Sequence, residues 1–88
     1  MKRGLRLDKK DNVGVVIDDV LPSEQVSFDT EAVVSLDDIK MPHKIALSDI
    51  HEGSAVIKYG EAIGYATCDI AKGAFVHVHN IDSEKNMK

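Results

Sequence analysis

The stretch FVHVHN, Phe75 to Asn80, places two of the chain's four histidines two residues apart. Imidazole is the side chain that gains or loses a proton near neutral pH. On an extended strand, side chains alternate faces, so residues i and i+2 present their groups together. Such a pair can ligate a metal or offer two donors to an oxyanion, and Asn80 adds an amide. Two other places supply cations: Pro42–His43–Lys44 opens a second apolar run, and Lys58–Tyr59 sits at a turn. Convergence of these with Phe75–Asn80 would give a cationic pocket on an acidic chain, suited to a carboxylate or sulfonate. A sugar acid is a fitting guest. His-x-His alone is a weak pattern, because two surface histidines on a strand also occur by chance. His51 reads as a solvated loop residue.

The elements that must position these groups read as short strands. In an extended run Phe75, His77 and His79 share one face, while Val76 and Val78 point to a core. Three segments resemble one another: VIDDVLPSEQV, ALSDIHEGSAV and ATCDIAKGAFV. Each ends an apolar run on Asp (Asp19, Asp49, Asp69) and turns; Gly53 and Gly73 supply the positive φ of a tight reversal, with Ser23 in that place in the first. The aspartates read as turn hydrogen bonders rather than catalysts. Strands are expected at Leu5–Leu7, Val13–Ile17, Gln25–Phe28, Ala32–Leu36, His43–Leu47, Ala55–Lys58, Ala62–Thr67 and Ala74–Asn80. Lys58–Tyr59–Gly60–Glu61 reads as a hairpin turn. No helical stripe of useful length is present. The predicted fold is all-β, a small hairpin-built domain over residues 1–80, with 81–88 a polar tail.

Bulk composition agrees with one small domain of 88 residues. Two Tyr, two Phe and no Trp make its core aliphatic. The single cysteine, Cys68, permits no internal disulfide and reads as a small buried residue. No signal-peptide pattern and no apolar run of the ~20 residues that span a bilayer are visible, so a cytoplasmic protein without membrane contact is expected. Net charge is −4, and five of eleven basic residues (Lys2, Arg3, Arg6, Lys9, Lys10) crowd the start. Nucleic-acid binding is therefore not expected. No nucleophile motif, phosphate loop, C-x-x-C or spaced metal triad occurs, and so short a chain offers little depth for a closed active site.

Across His43–Asn80 the sequence resembles the N-terminal SAF domain of the altronate and galactarate dehydratases, and the small subunit of the related sulfolactate sulfo-lyase. The matching pieces are His-Lys-Ile-Ala-Leu at 43–47, Asp-Ile-x-x-Gly at 49–53, Val-Ile-Lys-Tyr-Gly at 56–60, Ile-Gly-x-Ala at 63–66, Asp-Ile-x-x-Gly at 69–73 and Val-His-x-His-Asn at 76–80. The resemblance implies a β-clip fold and a share in hydroxy-acid lyase chemistry, chiefly water elimination. It also implies a large catalytic partner, and a divalent metal (iron) shared with that partner rather than held here alone. On that basis His77 and His79 are the catalytic candidates. His43, Lys44, Lys58, Tyr59 and Asn80 are the substrate-binding candidates, and no metal ligand is assigned. The tail favours a separate small subunit over an excised domain, and a homo-oligomer is left open. A non-catalytic sugar-acid binding or assembly module is the alternative.

Overall fold

A computed structural model describes residues 1–29 and 31–83. The strands are short because Gly, Pro or Asp interrupts every apolar run. They are β1 (Lys2–Leu5), β2 (Val13–Val16), β3 (Gln25–Ser27), β4 (Ala32–Val34), β5 (Lys44–Ala46), β6 (Ala55–Lys58), β7 (Glu61–Ala66), β8 (Phe75–Val76) and β9 (Ile81–Asp82). One sheet has the order β4-β3-β1-β2-β5-β8, and the other β6-β7-β9. All pairings are antiparallel except β1 with β3. The described residues form no helix, and so none long and apolar enough to cross a membrane. The all-β expectation holds.

The repeated Asp segments act in pairs. Ile50 and Ile70 exchange two backbone hydrogen bonds of 2.8 Å each, and Val20 and Ile39 exchange bonds of 2.9 and 2.8 Å. The Asp before each bridge accepts a backbone N–H from the opposite turn. Asp49 accepts from Lys72 at 2.9 Å, Asp69 from Glu52 at 2.8 Å and Asp19 from Met41 at 3.0 Å. The expected turn role is therefore kept, but each Asp serves its partner's turn rather than its own. Asp38–Ile39 is a fourth copy. The amide that Asp38 would meet belongs to Pro22, which has no N–H. Ser23, Gly53 and Gly73 all have positive φ (76°, 85° and 92°). A Cβ at Gly73 would collide with the Val34 carbonyl oxygen, so only glycine passes there.

Two apolar clusters fill the interior. Val16, Val20, Val26, Phe28, Val33, Ile39, Ile45 and Leu47 form one; Val13, Ala46, Ile50, Val56, Ala66, Ile70 and Val76 form the other. β5 divides them by alternation, Ile45 facing the first and Ala46 the second. The aliphatic side chains follow expectation, and Phe28 lies over the backbone of Gly4 and Gly14.

Several expectations change. The run at Ala74–Asn80 is a strand only at Phe75–Val76; His77–Asn80 is a turn, and Val78 is 78% exposed instead of core-facing. Ile81–Asp82, placed in the tail by the sequence, pairs with Ala66 and Tyr65, while 84–88 lie outside the described residues. β1 begins at Lys2, and Leu5 and Leu7 are exposed. Cys68 is exposed rather than buried, because it lies in the exposed Thr67–Asp69 segment between buried Ala66 and Ile70. Three of the five early basic residues are paired: Arg3 with Asp18 at 3.1 Å, Arg6 with Glu31 at 3.3 Å and Lys2 with Glu24 at 3.9 Å.

Asp49→Ala or Asp69→Ala removes a charge-assisted bond to a turn amide and should lower stability by about 1–2 kcal/mol, read as a urea midpoint shift at unchanged slope. Asp38→Ala, which removes only an exposed contact to Lys40, should change it by less than about 0.5 kcal/mol. Equal losses at all three positions would refute the asymmetry.

Candidate functional site

The turn His77–Asn80 is closed by one side chain. Asn80 is buried; its Oδ1 accepts the His77 N–H at 3.0 Å, and its Nδ2 donates to the Phe75 carbonyl at 2.9 Å. Its backbone N–H also bonds the His77 carbonyl at 3.0 Å. Both ends of the amide are thus engaged within the turn that carries the two histidines. The root of the turn is fixed as well: the Phe75 N–H donates to Asp37 at 2.8 Å, and β8 pairs with β5.

Phe75 gathers the imidazoles. Its ring stacks on His77 at 5.7 Å, tilts against His79 at 5.2 Å and meets His43 edge-on at 5.5 Å; His43 and His77 stand edge-to-face at 5.0 Å. Phe75, His77 and His79 do come together, as alternation predicted, but through a turn wrapped over Phe75 rather than along a strand. His43 Nδ1 lies 2.9 Å from the Lys40 carbonyl. A carbonyl only accepts, so Nδ1 carries the proton, and Nε2 of the neutral ring is an acceptor.

The cations arrive from two directions. Lys44 stands on β5 beside His43. Lys58 comes from the tip of the β6–β7 hairpin, which the loop before β2 clamps. Asn12 donates to the Ala55 carbonyl at 2.9 Å and accepts the Ile57 N–H at 2.7 Å; the buried Asp11 carboxylate accepts the Gly60 N–H at 2.8 Å. Burial holds Lys44 below the usual lysine range, and the nearby Lys58 charge lowers it further. His77 is likewise held below the ordinary imidazole value, first by desolvation and then by Lys44, His43 and His79. Among the described residues, neither Lys44 nor Lys58 forms an ion pair with a carboxylate.

His43, Lys44, His77 and His79 therefore converge, Lys58 is close enough for its charge to act on Lys44, and Tyr59 lies beside Lys58, whose Nζ is 4.9 Å from the ring centroid. Asn80 belongs to the same place but holds the turn. Sequence reasoning missed Asp11 and Asn12, whose only signal was a polar pair between two apolar runs, and the central place of Phe75. Beyond His79 an open groove of about 410 Å³ runs past Val78, Ile63, Thr67 and Ile81. Among the described residues no three His, Cys, Asp or Glu side chains are arranged to hold a metal ion.

Residues 2–84 match the sequence profile of the altronate/galactarate dehydratase SAF domain. The chain belongs to that family. The match extends well before the His43–Asn80 stretch that carries the resemblance. Altronate dehydratase of Escherichia coli (strain K12) is 45% identical over 76 residues, 86% of this chain and 15% of that protein. Altronate dehydratase of Bacillus subtilis (strain 168) is 40% identical over 80 residues, 91% of this chain and 16% of that protein. The (2R)-sulfolactate sulfo-lyase subunit alpha of Chromohalobacter salexigens is 33% identical over 85 residues, covering 89% of this chain and 90% of that subunit. The SAF domain thus spans about 15% of the altronate dehydratases and nearly all of the sulfo-lyase alpha subunit.

Two measurements check this site. Asn80→Ala should cost about 2–3 kcal/mol, because it strands two backbone groups of the turn, and should shift the His77 and His79 ring signals. His77 should titrate below the free value of 6.5. The unfolded chain then binds more protons between the two values, so this contribution to stability is complete above about pH 6.5 and is lost as pH falls through the folded value. A His77 titration above 6.5 in ring NMR would contradict this geometry.

Proposed function

We propose that this SAF domain is the small, non-autonomous part of a cytoplasmic hydroxy-acid lyase of the altronate/galactarate dehydratase type. In this reading it completes the sugar-acid site of a large catalytic partner. The observation that carries the proposal is the meeting of two lysines and three imidazoles, with neither lysine in an ion pair among the described residues, on a chain of net charge −4. Assembling like charges opposes folding, and a bound anion reverses the sign of that interaction. Family membership supplies the anion class, through relatives named for altronate, galactarate and sulfolactate.

The roles follow from protonation state. Lys44 and Lys58 hold the carboxylate and balance the negative charge that builds on it when the neighbouring C–H loses its proton. A neutral imidazole takes that proton: the surroundings of His77 bias it toward the neutral form, and His79 packs against the same Phe75 ring. The C–H electrons form the C=C bond, the C–O bond to the adjacent hydroxyl breaks, and the hydroxyl leaves as water with a returned proton. The enol product then becomes the keto acid. His43, fixed by Lys40, orients the substrate, and Asn80 acts by positioning both catalytic histidines. A divalent metal is assigned to a site shared with the large partner. Exposed Val78 and the groove beside His79 lie where a covering partner would exclude water.

Co-purification from the native host should recover a large dehydratase-type chain. In the reconstituted pair, His77→Ala or His79→Ala should lower kcat roughly 10²- to 10⁴-fold, and Lys44→Ala should act mainly on KM. Full turnover by the His77→Ala/His79→Ala double variant, with assembly unchanged, would reduce the domain to an assembly or binding module.

A further inference from the structure

Tyr59 has φ 57° and Gly60 φ 76°, and together they form the two-residue loop between the paired Lys58 and Glu61. Positive φ at both positions defines the turn in which Asn–Gly is the favoured pair. A bulky side chain in the first position is strained. The turn has no freedom to relax, because Asp11 holds the Gly60 N–H and Asn12 holds Ile57 from both sides. Burial does not explain the tyrosine, which is 60% exposed. What its ring meets is the Lys58 ammonium, 4.9 Å from the centroid.

An aromatic face and a carboxylate both fix a lysine, with different results. A carboxylate partner cancels the charge. A ring attracts the ammonium through its quadrupole and leaves the full positive charge on view. Among the described residues Lys58 forms no ion pair and so is in the second situation, and its charge reaches Lys44.

We propose that Tyr59 is a positioning residue, kept in a left-handed conformation because its ring holds the Lys58 ammonium at the mouth of the anion site without neutralising it. This rests on the proposed function for the identity of the anion and adds a residue whose backbone strain serves that site. It also accounts for a tyrosine where a turn of this type would be more stable with asparagine.

The test compares the full chain with Tyr59→Asn, Tyr59→Phe, Lys58→Met and the Tyr59→Asn/Lys58→Met double variant. Altronate, galactarate and sulfolactate are titrated to millimolar concentration while the His77 and His79 ring signals are followed. Tyr59→Asn should raise the melting temperature and abolish the ring-current shift of the Lys58 ε-methylene protons. It should also weaken binding roughly three- to tenfold. Tyr59→Phe should restore both the shift and the affinity, and the double variant should bind no worse than Lys58→Met. Wild-type affinity in Tyr59→Asn, with binding still lost in His77→Ala, overturns the positioning role and leaves the anion site standing. Equal losses in Tyr59→Phe and Tyr59→Asn overturn it in favour of direct contact through the hydroxyl. Absence of binding by the wild-type chain to any of the three acids overturns the anion site and this role together.

Discussion

A carboxylate oxygen accepting the backbone N–H of the opposite turn is the contact on which this domain depends. Its described strands run from two to six residues, too short to hold one another by ladder bonds alone. Asp49 and Asp69 exchange such contacts across the Ile50–Ile70 bridge and so lock two distant reversals together. From that lock the Gly73 N–H reaches the Ala46 carbonyl and the Gly73 carbonyl takes the Leu36 N–H, which seats β8 against β5. The turn bearing His77 and His79 follows directly from β8. The histidines are therefore placed by a scaffold built of short polar side chains on turns, with the aliphatic clusters filling what those clips enclose.

The electrostatics of the two halves run in opposite senses. Around β1 each arginine finds a carboxylate, and Asp18 is held below the usual carboxylate range by its hydrogen bonds to Arg3. Around β5 and β8 the cations face each other. Desolvation and mutual repulsion depress Lys44 and His77 together, which biases one imidazole toward the neutral form while an ammonium remains near it. One surface thereby holds a proton acceptor and a positive charge at the same pH, the pairing required for removing a proton beside a carboxylate.

Much of this was legible from residue types. The Asp and Gly punctuation announced short strands and tight reversals, and the imidazoles and ammoniums of His43–Lys44, Lys58 and FVHVHN pointed to a cationic meeting place. The parts that escaped share physical causes. HVHN fits a strand or a turn equally well, and only Asn80, buried with both ends of its amide engaged, decides between them. Asp38–Ile39 hid as a fourth clip because Pro22 and Pro42 replace the amide and the glycine that mark its siblings. The Asn12 and Asp11 clamps join residues 45 and 49 positions apart, a distance over which local pattern carries no information.

Those same spans govern how the domain comes into being. Contacts that close loops of this length form late, since the chain must lose the entropy of the loop before gaining the bond. During synthesis His43 and Lys44 leave the ribosome well before Asn80, and the edge of β5 has no β8 to cover it until the last strands emerge. The surface that gathers His43, Lys44, His77 and His79 is therefore complete only once β8 and the turn after it have paired with β5.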